Sequence, residues 1–133
     1  MAMPMGEQAE AAKPAGRTPT EQAAHINEVF SAEITDAEWA TETSATLEVE
    51  LRKRAPSGFA FRSIACRTTL CKAEIALPDE GTYQSFVEAA LAAPVLWEGA
   101  LLAMRKKDQD TPNAVSGVMF FARPGRDMPY LTN

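Results

Sequence analysis

Positions suited to burial recur every fourth residue from Trp39 through Thr43 and Leu47 to Leu51, the repeat of a one-faced α-helix. Thr35 followed by Glu38 three residues later forms a capping-box pattern at its start, and Pro56-Ser57-Gly58 bars it from continuing past Arg54. Upstream, Thr18-Pro19-Thr20-Glu21 places a proline and an acid where a first helical turn accepts both, which predicts a shorter helix to about Val29. Downstream of the glycine the period changes. Phe59 to Cys66 and Leu70 to Leu77 are short, flanked by turn residues, and read as the two arms of a hairpin.

Facing Cys66 with Cys71 sets the register of that hairpin. Counting outward, Ile64 meets Ala73, Arg62 meets Ile75 and Ala60 meets Leu77 on one mostly apolar face. Ala65/Lys72, Ser63/Glu74 and Phe61/Ala76 share the other. Arg62 is the misfit, and a bulge near it, or its stem lying along the sheet edge, reconciles the pattern.

Asp79 follows Pro78 as an N-cap for a helix carrying Tyr83, Phe86, Val87, Ala90 and Leu91 on one face, closed by Pro94. Val95 to Met104 is read as a strand, although periodicity alone also admits a helix there. Lys106 to Ala114 is expected to be a polar loop and Val115 to Ala122 the last strand. The order α(α)ββαββ predicts an α+β fold: an about four-stranded, mainly antiparallel sheet with helices packed on one face. Adjacent Phe120 and Phe121 must point to opposite faces of their strand, so one is exposed as a partner surface unless both faces are covered.

Length adds a boundary. The 133 residues suit one domain, here 19–133, preceded by an Ala/Glu/Pro/Gly-rich leader, 1–18. That leader is expected to be disordered, a cloning remnant or the tether left where a targeting segment was removed. No stretch has the roughly 20 apolar residues of a transmembrane segment, and none reads as a signal peptide.

Charge is uneven. Residues 1–50 hold ten acids and two bases, whereas 51–133 hold eight acids and eleven bases. Between Pro19 and Glu50 there are eight acids and no Lys or Arg, which argues against a nucleic-acid surface there. Arg52-Lys53-Arg54, Arg105-Lys106-Lys107 and the pair Arg123/Arg126 are short basic clusters that suit element ends.

Cys66 and Cys71 are the only cysteines, five positions apart across the hairpin. A disulfide between facing positions is the favoured reading, worth about 2 kcal/mol for so small a loop and implying an oxidising compartment, a periplasm or cell surface. Two buried free thiols are a second reading. A third is a thiol-disulfide redox sensor, helped by the neighbouring cations Arg67 and Lys72. Zinc would need more ligands than one distant histidine supplies.

Other chemistry is sparse. His25 is the only histidine and no Gly-x-Ser-x-Gly elbow occurs, which disfavours acyl transfer. Glu33, Asp36, Glu38, Glu42 and Glu50 are explained by capping and helix solvation rather than as a carboxylate pair. No phosphate-binding glycine loop or EF-hand pattern is present, so no catalytic, cofactor or metal residue is assigned. Trp39, Phe59, Phe61, Tyr83, Phe86, Trp97, Phe120 and Phe121 read first as core. Trp39, Arg67, Tyr83, Trp97 and Phe121 are the candidate partner or ligand surface, with a pocket lined by Trp39, Tyr83 and Trp97 as the ligand-binding alternative.

Three strings carry a resemblance: Phe30-Ser-Ala-Glu33-Ile-Thr-Asp36-Ala-Glu-Trp39-Ala40, Cys66-Arg67-Thr-Thr-Leu-Cys71, and Phe120-Phe-Ala-Arg123-Pro-Gly125-Arg-Asp-Met-Pro129. Over residues 30–130 the chain resembles a group of small, uncharacterised bacterial domains, often exported or lipid-anchored, with a Cys-Arg-x-x-x-Cys hairpin. The resemblance implies export and a disulfide, and no established activity. The chain departs from the group in showing no lipobox, so export is inferred rather than read. Together these readings lead to a non-enzymatic, disulfide-stabilised extracytoplasmic interaction or accessory domain with an unknown protein partner, no nucleic acid and no cofactor.

Overall fold

Thr18 opens the first helix with both halves of a capping box: its hydroxyl accepts from the Glu21 N–H at 3.0 Å, and the Glu21 carboxylate accepts from the Thr18 N–H at 3.1 Å. The computed structural model describes residues 18–92, 96–107 and 114–130. Its elements run α1 (Pro19–Ala32), α2 (Ala37–Arg54), β1 (Ala60–Cys66), β2 (Leu70–Leu77), α3 (Glu80–Leu91), β3 (Leu101–Lys107) and β4 (Val115–Ala122). Of the leader expected over residues 1–18, Thr18 is the N-cap of α1 and the rest lies outside the described residues.

The order and the α+β class follow the sequence reading; several details differ. The α1 helix runs to Ala32, past Val29, because Phe30 is buried against the sheet and draws another turn with it. Asp36, not Thr35, caps α2: its carboxylate accepts from the Trp39 N–H at 3.3 Å. Asp79 caps α3 by accepting from the Thr82 N–H at 2.8 Å, and that bond holds its carboxyl below the usual value.

The four strands are antiparallel in the order β1-β2-β4-β3. In the β1–β2 hairpin, Cys66 faces Cys71, Ile64 faces Ala73 and Ser63 faces Glu74, then the register slips so that Phe61 meets Ile75 and Ala60 meets Ala76. Arg62 is the extra residue of a bulge. Its insertion turns Phe61 from the outer face to the core face, where it packs beside Phe59 with ring centroids 6.3 Å apart.

The strand expected over Val95–Met104 starts later, at Leu101, and reaches Lys107. Gly99 is the reason for the late start. A Cβ there would lie 2.3 Å from the Ala122 carbonyl oxygen, so the chain passes β4 by a close approach that only glycine allows. The Ala122 N–H donates to the Ala100 carbonyl at 2.9 Å, and pairing proceeds from there.

Helices cover both faces of the sheet rather than one. On the first face, Leu47 and Leu51 of α2 and Tyr83, Phe86 and Ala90 of α3 pack on Cys71, Ala73, Ile75, Leu77, Met119 and Phe121. On the second, Ile26 and Phe30 of α1 join Leu70, Leu102, Val118, Phe120, Ala122 and Met128. The central strands are apolar on both sides at the hairpin end, so one helical layer would leave Leu70, Phe120 and Ala122 in water. Phe120 and Phe121 therefore point to opposite faces and both are buried.

Candidate functional site

The polar residues converge at the tip of the β1–β2 hairpin. Arg67 N–H donates to the Leu70 carbonyl at 2.8 Å, leaving Thr68-Thr69 as a two-residue loop. Two-residue hairpin loops favour turns with positive φ, whose twist matches that of the strands. Among the described residues no non-glycine residue has positive φ, so this loop must be held by other means.

Glu33, just past α1, supplies one. Its Oε1 accepts from the N–H groups of Thr68 at 3.1 Å and Thr69 at 2.9 Å, and its Oε2 accepts from the Thr69 hydroxyl. The loop answers in kind: Thr68 Oγ1 donates to the Ile34 carbonyl at 2.7 Å and Arg67 donates to the Glu33 carbonyl at 3.0 Å. From the other side, the Arg123 guanidinium donates to the Thr68 carbonyl at 3.0 Å and to Asp36 at 3.3 Å, while its backbone N–H donates to Thr69 at 2.8 Å. Arg67 lies 4.9 Å above the Phe30 ring and Arg123 4.5 Å above Trp39, so both cations are also stacked.

The disulfide closes the base of this clasp. Cys66 and Cys71 are joined, with Cα atoms 3.9 Å apart, at a position next to the Arg67/Leu70 hydrogen-bonded pair where the two backbones approach most closely. Both residues are buried.

The candidate surface residues do not form one surface. Trp39 and Arg67 are half-buried in the clasp as described. Trp97 is half-buried on β4, its indole N–H donating to the Ala122 carbonyl at 2.8 Å and its ring 5.4 Å from Phe121, edge-on. Phe121 and Tyr83 are core residues, which corrects their assignment to a partner surface: Phe121 sits on the inward face of a central strand and Tyr83 on the buried stripe of α3. A Cβ on Gly117 would lie 2.7 Å from Tyr83 Cε1, so the glycine makes room for this ring. Tyr83 at Gly117 and Trp97 at Ala122 are five residues apart along β4, about 17 Å at ~3.4 Å per residue, too far to line one small pocket wall.

Burial raises the Tyr83 hydroxyl to about 12, against a smaller opposing pull from Arg105, which lies 5.7 Å from the ring. Tyr130 is raised too, by burial against the second core. Among the described residues no group of three or more His, Cys, Asp and Glu is placed to hold a metal ion, and no helix is long and apolar enough to cross a membrane.

Sequence reasoning treated Glu33 and Asp36 as solvated or capping and missed the clasp. Its signal was available in the Thr68-Thr69 loop itself, which contains no Gly, Asn or Asp and so calls for an outside partner. Glu33, Asp36, Trp39, Arg67 and Arg123, far apart along the chain, come together here. Compared with protein-family models, curated proteins and solved structures, the chain matches none.

Proposed function

We propose that this chain is a non-enzymatic interaction or accessory module of an oxidising, extracytoplasmic compartment, as its resemblance to exported domains with a Cys-Arg-x-x-x-Cys hairpin implies. The observation that carries the reading is the Cys66–Cys71 disulfide across facing, buried positions of the central hairpin. The polar groups around it are spent on holding the hairpin to α1, α2 and β4, which suits a scaffold that presents a surface.

The redox-sensor alternative is less well supported. Exchange needs an attacking thiolate to reach a sulfur, and both cysteines are buried; Arg67 is engaged with Glu33 and Phe30. Intact-mass measurement without reductant, on protein trapped from its native compartment, tests the proposal. A mass lower by two hydrogens than the reduced chain is expected, and two alkylatable thiols in the folded protein would overturn it. A reduction potential below about −300 mV is expected of a structural bridge, and a higher one would favour the sensor.

A further inference from the structure

Every backbone polar group of Thr68 and Thr69 is bonded outside the hairpin. Glu33 accepts from both N–H groups, at 3.1 and 2.9 Å, while Arg123 donates to both carbonyls, its guanidinium to Thr68 at 3.0 Å and its backbone N–H to Thr69 at 2.8 Å. The loop is thus shaped by the end of α1 and the residue after β4, not by a turn of its own. Cys66 and Cys71 face each other below it, with the Arg67–Leu70 hydrogen bond between them and the loop.

None of these bonds involves sulfur, so a closed tip does not need the bridge. A reduced chain then keeps its two thiols opposed, and each meets the other at an effective concentration set by the population of the closed tip. We propose that Glu33 is a positioning residue for the Cys66–Cys71 couple: by gripping the loop it holds the thiols in register in the reduced, folded chain and so favours the oxidised form. The inference deepens the reading of the bridge as structural, since a high effective concentration makes a disulfide resist reduction. With a small disulfide such as oxidised glutathione as oxidant, one cysteine thiolate attacks a glutathione sulfur and expels one glutathione thiolate. The second cysteine thiolate then attacks the protein sulfur of the mixed disulfide and expels the other. The chain loses two electrons and two protons, and glutathione disulfide takes them up as two thiols. Glu33 acts on this equilibrium only through the loop.

The full chain is equilibrated in glutathione buffers, and its oxidised fraction is read by alkylation and intact mass. Glu33→Ala should lower the effective concentration at least about tenfold, and Glu33→Gln, which keeps one acceptor oxygen, about threefold. Phe86→Leu, which acts through α3 and its ring contact with Phe59, should lose stability in urea yet leave the effective concentration within about twofold of the parent. In the reduced parent the Arg67 amide, bonded to Leu70, should stay protected from hydrogen exchange, and in reduced Glu33→Ala it should exchange faster. A Glu33→Ala value within about twofold of the parent, an equal fall in Phe86→Leu, or a reduced parent whose Arg67 amide is already open would overturn the proposal. Should Glu33→Ala fail to fold, Glu33→Gln decides, and an unchanged value there overturns it. An unchanged equilibrium sinks the role of Glu33 alone, whereas free thiols in the native compartment sink the compartment reading alone.

Discussion

Glu33 grips Thr69 with both carboxylate oxygens, one accepting its backbone N–H at 2.9 Å and the other its hydroxyl. The two residues are 36 positions apart, and through them the end of α1 holds the tip of a hairpin whose loop lacks the turn residues that would set its twist. Removing the grip has a calculable consequence. Glu33→Ala leaves two half-buried N–H groups without their charged acceptor and should cost about 2–3 kcal/mol in urea unfolding. Glu33→Gln keeps one acceptor oxygen and should cost about 1 kcal/mol. Equal losses for the two variants would mean that the carboxylate charge, not the acceptor count, dominates.

Reducing the disulfide should lower stability by about 2 kcal/mol, the chain-entropy figure for a loop this short. The clasp remains after reduction, so the hairpin amides should stay protected from hydrogen exchange in the reduced protein. Loss of that protection would show that the sulfur bridge alone holds the register.

Gly99→Ala places a methyl group against the Ala122 carbonyl and near the Trp97 indole nitrogen. Neither can yield without breaking the Trp97–Ala122 hydrogen bond, so a loss of roughly 1–3 kcal/mol and a shift in tryptophan fluorescence are expected. Gly125, where an added Cβ meets nothing within 4 Å, has positive φ, so its alanine variant should be strained by backbone alone and leave the fluorescence unchanged.

Ile26→Ala tests the second layer. Its side chain is fully buried between α1 and the sheet, and the substitution should cost about 2–5 kcal/mol. Ile34→Ala, at a side chain 81% exposed, should change stability by less than about 0.5 kcal/mol.

Tyr83 links stability to alkaline pH. Its folded value of about 12 lies above the ordinary 10.0, so the folded state favours the neutral phenol. The stabilisation is complete below the unfolded value and is lost as pH rises through the window from 10.0 to about 12. Tyr83→Phe should flatten that loss, and tyrosinate absorbance should show one late-ionising group fewer.

Much of the fold was legible because its signals are local. The period along α2, Pro56 beyond its end, Asp79 before α3 and the facing cysteines each act within a few residues. Even the bulge at Arg62 could be read, since a charged residue at a core-facing count is a conflict within one hairpin. The clasp was not, because Glu33, Thr69 and Arg123 are separated by tens of residues and each type is ordinary on a surface.

What the chain's own order of residues determined is the set of elements, their sequence along the chain and the pairing of the two cysteines, all consequences of short-range backbone preference and hydrophobic period. Only the tertiary structure decided that α1 crosses to the second face, that Phe121 and Tyr83 are core, and that Glu33 closes the hairpin. Those outcomes depend on which apolar surfaces remain to be covered once the sheet has formed, and that is a property of strands already paired, not of any one segment.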